Sequence, residues 1–489
     1  MVNEPRNERR LGESSGTPVV EIMRRGDGSG ASRLQGIQRA ISKFLAVPFL
    51  VVLVFLLTAV LLQVLERSAL GWIQRLRRSV SAVLFTSPDA TAGFLGAAGS
   101  GMVTLTSITV SMLLLVLQQT ASNMGNMVYD QFLTRQRNQV YAGFIVGGAV
   151  LPLFLRARAS DEFNPVLGAT FVLLVIILSL AGLLWFLYMT IDQMRPSTVV
   201  RDTYEKTRRA RRHHLRIIRR TRRVPRSEAP VRAALLASGP GYVTKIDLEA
   251  IEDCLQRQPA DLEIISKAVI GDYISYNERI AEVKAREPDR AQDVVECLGS
   301  AYTIERHRQL DDDPGYGLRQ LETIAWPEVS TAKQNPETGM MVTRALRDLI
   351  SRWALDAEED EAEGDRLPLV IEDSVHRDAL DVLASLVVVS SESMQHQTFA
   401  EVLNAFAVFY PWLPPDLQER ADDLLARAIS AMGDHVLTRD VELAIEELSR
   451  VIRTAGRPDA ARMLESARDK LEASVGQLAS RSTRVKASQ

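Results

Sequence analysis

The stretch FLAVPFLVVLVFLLTAVLLQVL, residues 44–65, is 22 residues long and contains no charged side chain. The hydrocarbon core of a bilayer is about 30 Å thick and is crossed by about 20 helical residues, so this stretch predicts a transmembrane helix. An uncleaved signal sequence is disfavoured, because the run is longer than a signal-peptide apolar region and begins well inside the chain. The chain is therefore predicted to be an α-helical integral membrane protein.

Three further apolar runs follow before residue 192, at about residues 97–119, 139–155 and 165–191. After residue 192 no apolar run is long enough to cross a bilayer. Residues 41–194 are therefore predicted to form a domain of four transmembrane helices, with both chain termini on one side of the membrane.

Basic residues near the spans indicate which side faces the cytoplasm, because cytoplasmic loops carry an excess of Lys and Arg. The tail after the fourth span is rich in arginine, and the loop between the second and third spans contains Arg135 and Arg137. The loop between the first and second spans is also basic, with Arg67, Arg75, Arg77 and Arg78, and this argues for the opposite orientation. The balance predicts a multi-pass protein with cytoplasmic N and C termini.

The second span carries more hydroxyl and amide groups than a helix surrounded by lipid needs. With an advance of about 100° per residue, six of them fall in a stripe roughly 60° wide. These polar-stripe residues are Ser100, Thr104, Ser107, Ser111, Gln118 and Ser122. Because unsatisfied polar groups are costly in hydrocarbon, the stripe is expected to face protein or water. Two interpretations stay open: helix packing, or the lining of a polar pathway in an oligomer.

The third span contains Gly143 and Gly147 at the G-x-x-x-G spacing. Two small residues one turn apart let another helix backbone approach closely, so the pair predicts a tight helix–helix contact. The sequence leaves open whether that contact lies within one chain or between subunits.

The fourth span leads into an arginine tract. Residues 195–232 contain fourteen Lys or Arg and three acids, and predict a basic juxtamembrane helix. Such tracts bind anionic lipid headgroups or nucleic acid. The lipid interpretation is favoured because the tract follows a span directly, and aromatic residues do not alternate with the arginines in the way that a single-strand nucleic-acid surface requires. The residues expected to contact headgroups are Arg208, Arg209, Arg211 and Arg212, and no nucleic-acid partner is expected.

An α+β cytoplasmic region is predicted to follow. Short β-like runs at residues 241–246, 262–266 and 279–283 indicate a small β-rich module over residues 233–290. Residues 291–355 are expected to form a mixed α segment.

The last part of the chain is acidic and then helical. Seven acids among residues 356–365 predict a solvated linker over residues 356–366. Apolar residues at intervals of three and four predict a helical bundle over residues 367–478. Residues 1–40 and 479–489 are predicted to be disordered tails.

Two turn motifs lie in the mixed segment. The acidic triplet at residues 311–313 could bind a divalent cation, but the EF-hand spacing is absent and three adjacent carboxylates cannot all point at one ion. A helix-capping turn with a local arginine partner is favoured, with Arg319 as the candidate. The later motif KQNPETG, residues 333–339, is expected to start a helix with Glu337 in its first turn.

Several motifs together resemble a known family. They are SITVSMLLLVLQQTASN at residues 107–123, SGPGYV at 238–243, GDYI at 271–274, IERHRQLDDDPGYGLRQLETIA at 304–325 and VSTAKQNPETG at 329–339. This combination is similar to a family of bacterial predicted membrane proteins, Domain of Unknown Function 2254, over roughly residues 40–355. The resemblance implies a bacterial inner-membrane protein and implies no activity.

The chain departs from that family in the last motif, which usually has the form S-P-x-x-N-D-P-x-T-A. Thr331 stands in place of the proline, Gln334 and Asn335 in place of Asn-Asp, and Gly339 in place of alanine. Any polar or ion-binding role of the family's aspartate is therefore not carried over to this chain.

Patterns that carry catalytic chemistry are missing from the sequence. It has no phosphate-binding glycine loop, nucleophile elbow, HExxH or CxxC motif, and its six histidines are scattered or lie in the arginine tract. Cys254 and Cys297 lack metal-ligand spacing and predict a reducing compartment without a disulfide. We expect no enzymatic activity, no cofactor and no metal site.

Two classes of function remain. The first is an oligomeric channel or pore lined by the second span, with the cytoplasmic part as an assembly or gating domain. The second is a membrane-anchored sensor or scaffold whose cytoplasmic domains bind a partner. A hydroxyl stripe without charge suits weak, multi-site permeation, which favours the first. The expected partners are membrane lipids with anionic headgroups and further copies of the chain.

Overall fold

The computed structural model of the chain describes residues 31–68, 71–124, 136–159, 163–193, 195–256, 262–330, 336–356, 366–430 and 437–473. These residues belong to two compact units, which we call the N-terminal unit (residues 26–199) and the C-terminal unit (residues 200–489). The predicted C-terminal tail lies outside the described residues, and so does the predicted acidic linker apart from Asp356 and Arg366.

The N-terminal unit is helical: α1 (Ala31–Arg67), α2 (Gly71–Ser81), α3 (Pro88–Met124), α4 (Gln136–Arg156) and α5 (Val166–Gln193). Four of its described helices contain a stretch long and apolar enough to cross a membrane: Leu45–Arg67, Pro88–Leu115, Asn138–Arg156 and Val166–Met189. These stretches correspond to the four spans predicted from the sequence.

Two features of this unit differ from the sequence prediction. Helix α1 begins at Ala31, inside the range predicted as a disordered tail, because extending an established helix costs far less than starting one. Helix α2 lies in a segment for which no helix was predicted; it buries Ile73 and exposes Trp72 and Leu76. A short amphipathic helix of this kind suits a membrane–water interface.

Close packing between α1 and α4 is made possible by glycine. A Cβ atom on Gly143 would lie 2.8 Å from Pro48 Cα, and one on Gly147 would lie 2.5 Å from Phe55 Cδ2. The structure therefore places this G-x-x-x-G face against α1 of the same chain. Helix α3 packs on the other side, against α4 and α5.

Glu66, at the end of the first span, is 2 % exposed. Its carboxylate accepts hydrogen bonds from the backbone amides of Leu167 and Gly168, the latter at 3.0 Å. These amides belong to the first turn of α5, where N–H groups have no partner within the helix and the helix dipole favours negative charge. Glu66 therefore caps α5 and fixes it to the end of α1.

Most of α6 (Pro196–Arg220) belongs to the C-terminal unit, and a mixed module follows it in the chain. Its strands are β1 (Val231–Leu236), β2 (Gly241–Ile246), β3 (Glu263–Ser266), β4 (Tyr273–Ile274), β5 (Arg279–Lys284), β6 (Tyr302–Glu305) and β7 (Leu369–Val370). Its helices are α7 (Leu248–Gln256) and α8 (Pro288–Leu298). The strands predicted at residues 241–246, 262–266 and 279–283 are thus β2, β3 and β5.

The strands form two sheets, with orders β1-β5-β3-β7 and β4-β2-β6. All pairs are antiparallel except β3 with β7, where Ile264 pairs with Leu369. Strand β7 comes from beyond residue 366, so the module is not confined to residues 233–290 as predicted. A two-residue strand has too little pattern to be found from sequence.

Helices α7 and α8 pack on each other, and α8 packs on β1 and β5. Cys254 of α7 and Cys297 of α8 form a disulfide, with Cα atoms 6.0 Å apart. The expectation that both cysteines are unpaired is wrong, because a separation of 43 residues along the chain does not reveal that two helices lie side by side. The cysteines therefore no longer support a reducing compartment.

Seven α-helices follow in the described part of the unit: α9 (Pro314–Val329), α10 (Pro336–Asp356), α11 (Val375–Glu392), α12 (His396–Phe409), α13 (Pro415–Ser430), α14 (Arg439–Thr454) and α15 (Pro458–Ala473). Each helix contacts the one two places along the chain, as α10 contacts α12 and α12 contacts α14. The helices therefore lie in two rows. The bundle starts at α9 rather than at residue 367, because α9 and α10 belong to the same rows.

Candidate functional site

Helix α6 contains nine Lys or Arg and only two acids, yet one of its faces is buried in the C-terminal unit. The buried side chains recur at about the helical period and include Thr203, Thr207, Ala210, Arg211, His214 and Ile218. Thr207 fits against Gly317 of α9, where any Cβ atom would collide with the threonine hydroxyl. After α6, the Arg222 amide donates to the Leu369 carbonyl at 2.8 Å, which attaches the chain to β7.

Arg211 is the centre of a buried polar cluster. Its side chain is 2 % exposed and donates two hydrogen bonds to Asp373, of 2.8 Å and 2.7 Å. It also donates to Nδ1 of His214 at 3.0 Å, and its guanidinium lies 5.7 Å from the centre of the Trp353 ring. His376 completes the cluster: its Nε2 donates to the Trp353 carbonyl at 3.0 Å.

The cluster shifts the pKa of His214, His376 and Asp373. Burial lowers the pKa of His214 to about 4, with Arg211 adding to the effect and Asp373 opposing it. Burial and Arg211 also lower the pKa of His376. For Asp373, burial favours the protonated acid, but the hydrogen bonds and positive charge of Arg211 outweigh it and hold the pKa below its ordinary value. The cluster is thus one buried ion pair beside two neutral histidines.

A second polar cluster surrounds the acidic turn predicted at residues 311–313. Asp313 caps α9 by accepting from the Tyr316 amide at 2.8 Å. It also binds Arg308 through two hydrogen bonds, of 2.8 Å and 3.0 Å. The capping interpretation of this turn is therefore confirmed, but the arginine partner is Arg308 and not Arg319. The neighbouring Asp312 contacts His213 of α6 at 3.1 Å.

Two other predicted motifs meet at this turn. Gly271, from the GDYI motif, has a φ of +100°, and a Cβ there would lie 2.5 Å from Arg308 Nη2. Only glycine is accommodated at such a position. Gly315 belongs to the DPGYG motif. A Cβ atom on Gly315 would lie within 3.5 Å of side-chain oxygen or nitrogen atoms of Asp313, Arg308 and Asp378. Motifs far apart in sequence therefore assemble beside the buried face of α6.

Two further carboxylates lie near this turn, Asp272 at the surface and Asp378 half-buried. Burial raises the pKa of each; the Arg308 charge opposes the shift for Asp272, and a hydrogen bond from Ser374 opposes it for Asp378. Among the described residues, no group of three or more His, Cys, Asp or Glu side chains could hold a metal ion. The geometry is that of a polar joint between α6, the β module and the bundle.

The structure changes the assignment of the arginines predicted to contact lipid. Arg212 and Arg209 are exposed and Arg208 is half-buried, but Arg211 is buried and paired with Asp373. The prediction that Arg211 contacts headgroups is corrected, because the helical period turns it away from its neighbours. Asp373 is 162 residues from Arg211, and no local signal in the sequence indicates it.

The polar stripe of α3 lies on a surface that no described helix of its unit covers. Ser100, Thr104, Ser107, Ser111 and Gln118 are all exposed, while Ser122 lies where side chains are outside the described structure. The side of α3 that packs on α4 and α5 uses Leu95, Ala98, Met102 and Thr109 instead. The stripe is therefore not used for packing among the described helices of one chain.

One comparison with known proteins gives a match. A family model described as predicted membrane protein (DUF2254) matches residues 41–394. No curated protein and no solved structure matches the chain.

Proposed function

The chain belongs to the family of predicted membrane proteins DUF2254, and from that premise we propose that it works as a membrane oligomer whose α3 helices line a polar pathway. The C-terminal unit would serve as its assembly or gating domain. The proposal assigns no catalytic reaction to the chain.

The observation that carries this proposal is the position of the polar stripe on α3. With an advance of about 100° per residue, the exposed residues of α3 span an arc of roughly 180°, and the stripe occupies its middle. Apolar residues flank it on both sides: Val103 and Val110 on one, Ile108 and Leu115 on the other. The buried residues Met102 and Thr109 lie on the opposite side of the helix.

A polar stripe at the centre of an exposed face needs a partner inside a membrane. Hydroxyls can bond their own backbone, as Ser100 and Thr104 do with carbonyls four residues earlier, but Gln118 carries an amide that a single helix cannot satisfy fully. Several α3 helices around one axis would bring the stripes together around water, with the apolar flanks making the contacts between subunits.

We place this oligomer in the bacterial inner membrane with its N and C termini in the cytoplasm. The four arginines that oppose this orientation include two with structural roles. Arg67 lies over the Phe163 ring, 5.1 Å from its centre, and Arg77 donates to the Asn164 carbonyl at 3.3 Å. Both arginines take part in packing at helix ends. They therefore count for less than the arginine tract when the orientation of the chain is assigned.

The test is the double substitution Ser107→Leu with Ser111→Leu in the full chain reconstituted into liposomes. A narrower, apolar lining should reduce ion flux at least about tenfold while the oligomer seen by size exclusion is retained. The matched control is Val54→Leu with Val60→Leu, which adds two leucines at exposed positions of α1, away from the stripe and its flanks, and should preserve both properties.

Three results would contradict the pathway. One is unchanged flux through an intact oligomer of the stripe variant. Another is a wild-type protein that is monomeric or passes no ion. The third is a stripe variant that loses assembly while the α1 control variant assembles, which would assign the stripe to packing between subunits.

A second candidate function is a membrane-anchored sensor or scaffold. It is favoured by a cleft of about 680 Å³ between α6 and the β2–α7 turn, lined by Arg216, Ile217, Lys245 and Glu249 among others. A ligand in this cleft would touch α6, the first element of the unit after the spans. Affinity capture with the full chain, repeated with Ile217→Trp to fill the cleft, tests it: a partner lost only in the variant supports this function.

A further inference from the structure

We propose that the exposed face of α6 is a binding surface for anionic phospholipid headgroups, and that its members differ from those the sequence indicates. We call it the arginine face. It consists of Arg201, Arg208, Arg209, Arg212, Arg216 and Arg219. The inference is independent of the pathway proposed for α3.

The arginine face is continuous and lies opposite the buried face. At about 100° per residue, its six members fall within an arc of roughly 100°. The buried residues, from Thr203 to Ile218, are centred on the other side of the helix. From Arg201 to Arg219 the face is about 27 Å long at the rise of an α-helix. A straight row of cations of this length suits a flat, negatively charged surface.

Three arginines of this face differ in their ion pairing from the arginines of the other charged helices, whereas the half-buried Arg208 pairs with Glu205 at 3.1 Å. Arg201, Arg212 and Arg216 make no ion pair with any residue that the structure describes. By contrast, Arg427 of α13 pairs with Asp423 at 2.9 Å and Arg439 of α14 with Glu442 at 2.8 Å. An exposed charge that is not balanced within the fold is available to an external anion.

A lipid surface fits this face better than a nucleic acid does. Helix α6 starts at Pro196, directly after α5, whose stretch Val166–Met189 is a candidate span. Cations close to an anionic membrane contribute up to about fivefold each to binding. The aromatic residue of α6, Tyr204, is engaged with Asp348 and is not free to stack on bases. Charge complementarity therefore points to phosphatidylglycerol-type headgroups.

The test uses the full chain in nanodiscs that contain phosphatidylcholine and phosphatidylglycerol. Electron paramagnetic resonance of spin-labelled lipids gives the preference of the protein for phosphatidylglycerol over phosphatidylcholine. The wild type should show a clear preference that weakens as salt screens the charges. The triple variant Arg201→Gln, Arg212→Gln and Arg216→Gln should lose at least about tenfold of this preference.

The matched control is the triple variant Arg427→Gln, Arg439→Gln and Arg450→Gln. It removes three exposed charges of the same kind, each of which pairs with an acid in the same helix, and should keep the wild-type preference. A second set, Arg201→Lys, Arg212→Lys and Arg216→Lys, keeps the charge and should keep most of the preference even where the glutamine variant does not fold.

Several outcomes would overturn the inference. They are a wild type without lipid preference, equal losses in the α6 and control glutamine variants, and a lysine set that loses the preference completely. A wild type that binds a short DNA duplex in neutral nanodiscs, with no preference among lipids, would instead assign the arginine face to nucleic acid.

Discussion

Arg211 sits in the sequence between exposed arginines, yet its guanidinium is buried against Trp353 and paired with Asp373. A buried charge is tolerated only with a partner of good geometry, and the planar fork of arginine matches a carboxylate through two hydrogen bonds. His214, one turn further along, accepts a third hydrogen bond from the same guanidinium. At the scale of the residue, the arginine tract therefore contains two kinds of arginine with different surroundings.

The histidine of this cluster should make stability depend on pH. The pKa of His214 is about 4 in the folded chain against 6.5 for an ordinary histidine, so the unfolded chain takes up a proton first as the pH falls. Stability is fully present above about pH 6.5 and decreases toward pH 4, by about 3 kcal/mol in the free energy of unfolding. Denaturant unfolding of the full chain in detergent at several pH values measures this.

The variant His214→Gln tests whether His214 is responsible. Glutamine can accept the hydrogen bond from Arg211 and does not titrate, so the loss of stability between pH 6.5 and pH 4 should be smaller than in the wild type. His213→Gln is the control, because the His213 side chain is 55 % exposed. The same pH dependence in all three proteins would contradict the assignment.

At the scale of the element, two helices of the N-terminal unit show how small residues decide which face packs. Helix α4 turns Gly143 and Gly147 toward α1, where no side chain would fit. Helix α3 turns Leu95, Ala98 and Met102 toward its neighbours and leaves its polar stripe outside. Burial of small and apolar surfaces fixes the rotation of each helix about its axis, and the orientation of the stripe follows from it.

Gly143→Ala should destabilise the contact between α1 and α4. The new methyl group would lie 2.8 Å from Pro48 Cα and 3.0 Å from Val51 Cβ, and a backbone cannot move aside as a flexible side chain can. We expect a loss of about 1–3 kcal/mol, seen as a lower midpoint of thermal unfolding in detergent.

Gly101→Ala is the control for helix propensity. Gly101 lies on the exposed side of α3 with no atom within 4 Å of a Cβ, so alanine should leave stability unchanged or raise it by up to about 1 kcal/mol. If Gly143→Ala behaves in the same way as this control, the close approach of α1 and α4 is contradicted.

At the scale of the whole molecule, an N-terminal unit with four candidate spans is followed by a C-terminal unit with two sheets and a helical bundle. Cys254 and Cys297 form a disulfide, and paired cysteines give no support to a reducing compartment. The argument for the orientation of the chain in the membrane therefore rests on the basic residues. From the charge near the spans we propose that the arginine tract and the C-terminal unit lie in the cytoplasm.

Cysteine labelling in intact cells tests this orientation. In a Cys254→Ser, Cys297→Ser background, Val224→Cys should react with a membrane-impermeant maleimide only after permeabilisation, because Val224 is 65 % exposed and follows α6. Val83→Cys, 78 % exposed between α2 and α3, should react without permeabilisation and serves as the control. The opposite pattern would place the C-terminal unit outside the cell.

Part of the candidate site can be predicted from the sequence. In α6, the residues that interrupt the arginines, such as Thr203, Thr207, Ala210 and His214, recur at the helical period and could have revealed a buried face. The acidic turn was correctly assigned to helix capping because Asp before Pro and Gly is a strong local signal. The sequence does not indicate that Arg308 is the arginine partner of Asp313, because packing sets the direction of side chains within a turn.

The sequence by itself determined the four candidate spans, the strands β2, β3 and β5, the capping turn and the helical nature of the last third. These follow from apolar length, local periodicity and turn chemistry, which act over a few residues. Only the tertiary structure decided that Arg211 pairs with Asp373, that Cys254 meets Cys297, that β7 joins β3 and that the polar stripe faces outward. Each of these depends on residues far apart in the chain, whose proximity is fixed by how whole elements bury their apolar faces and not by any local pattern.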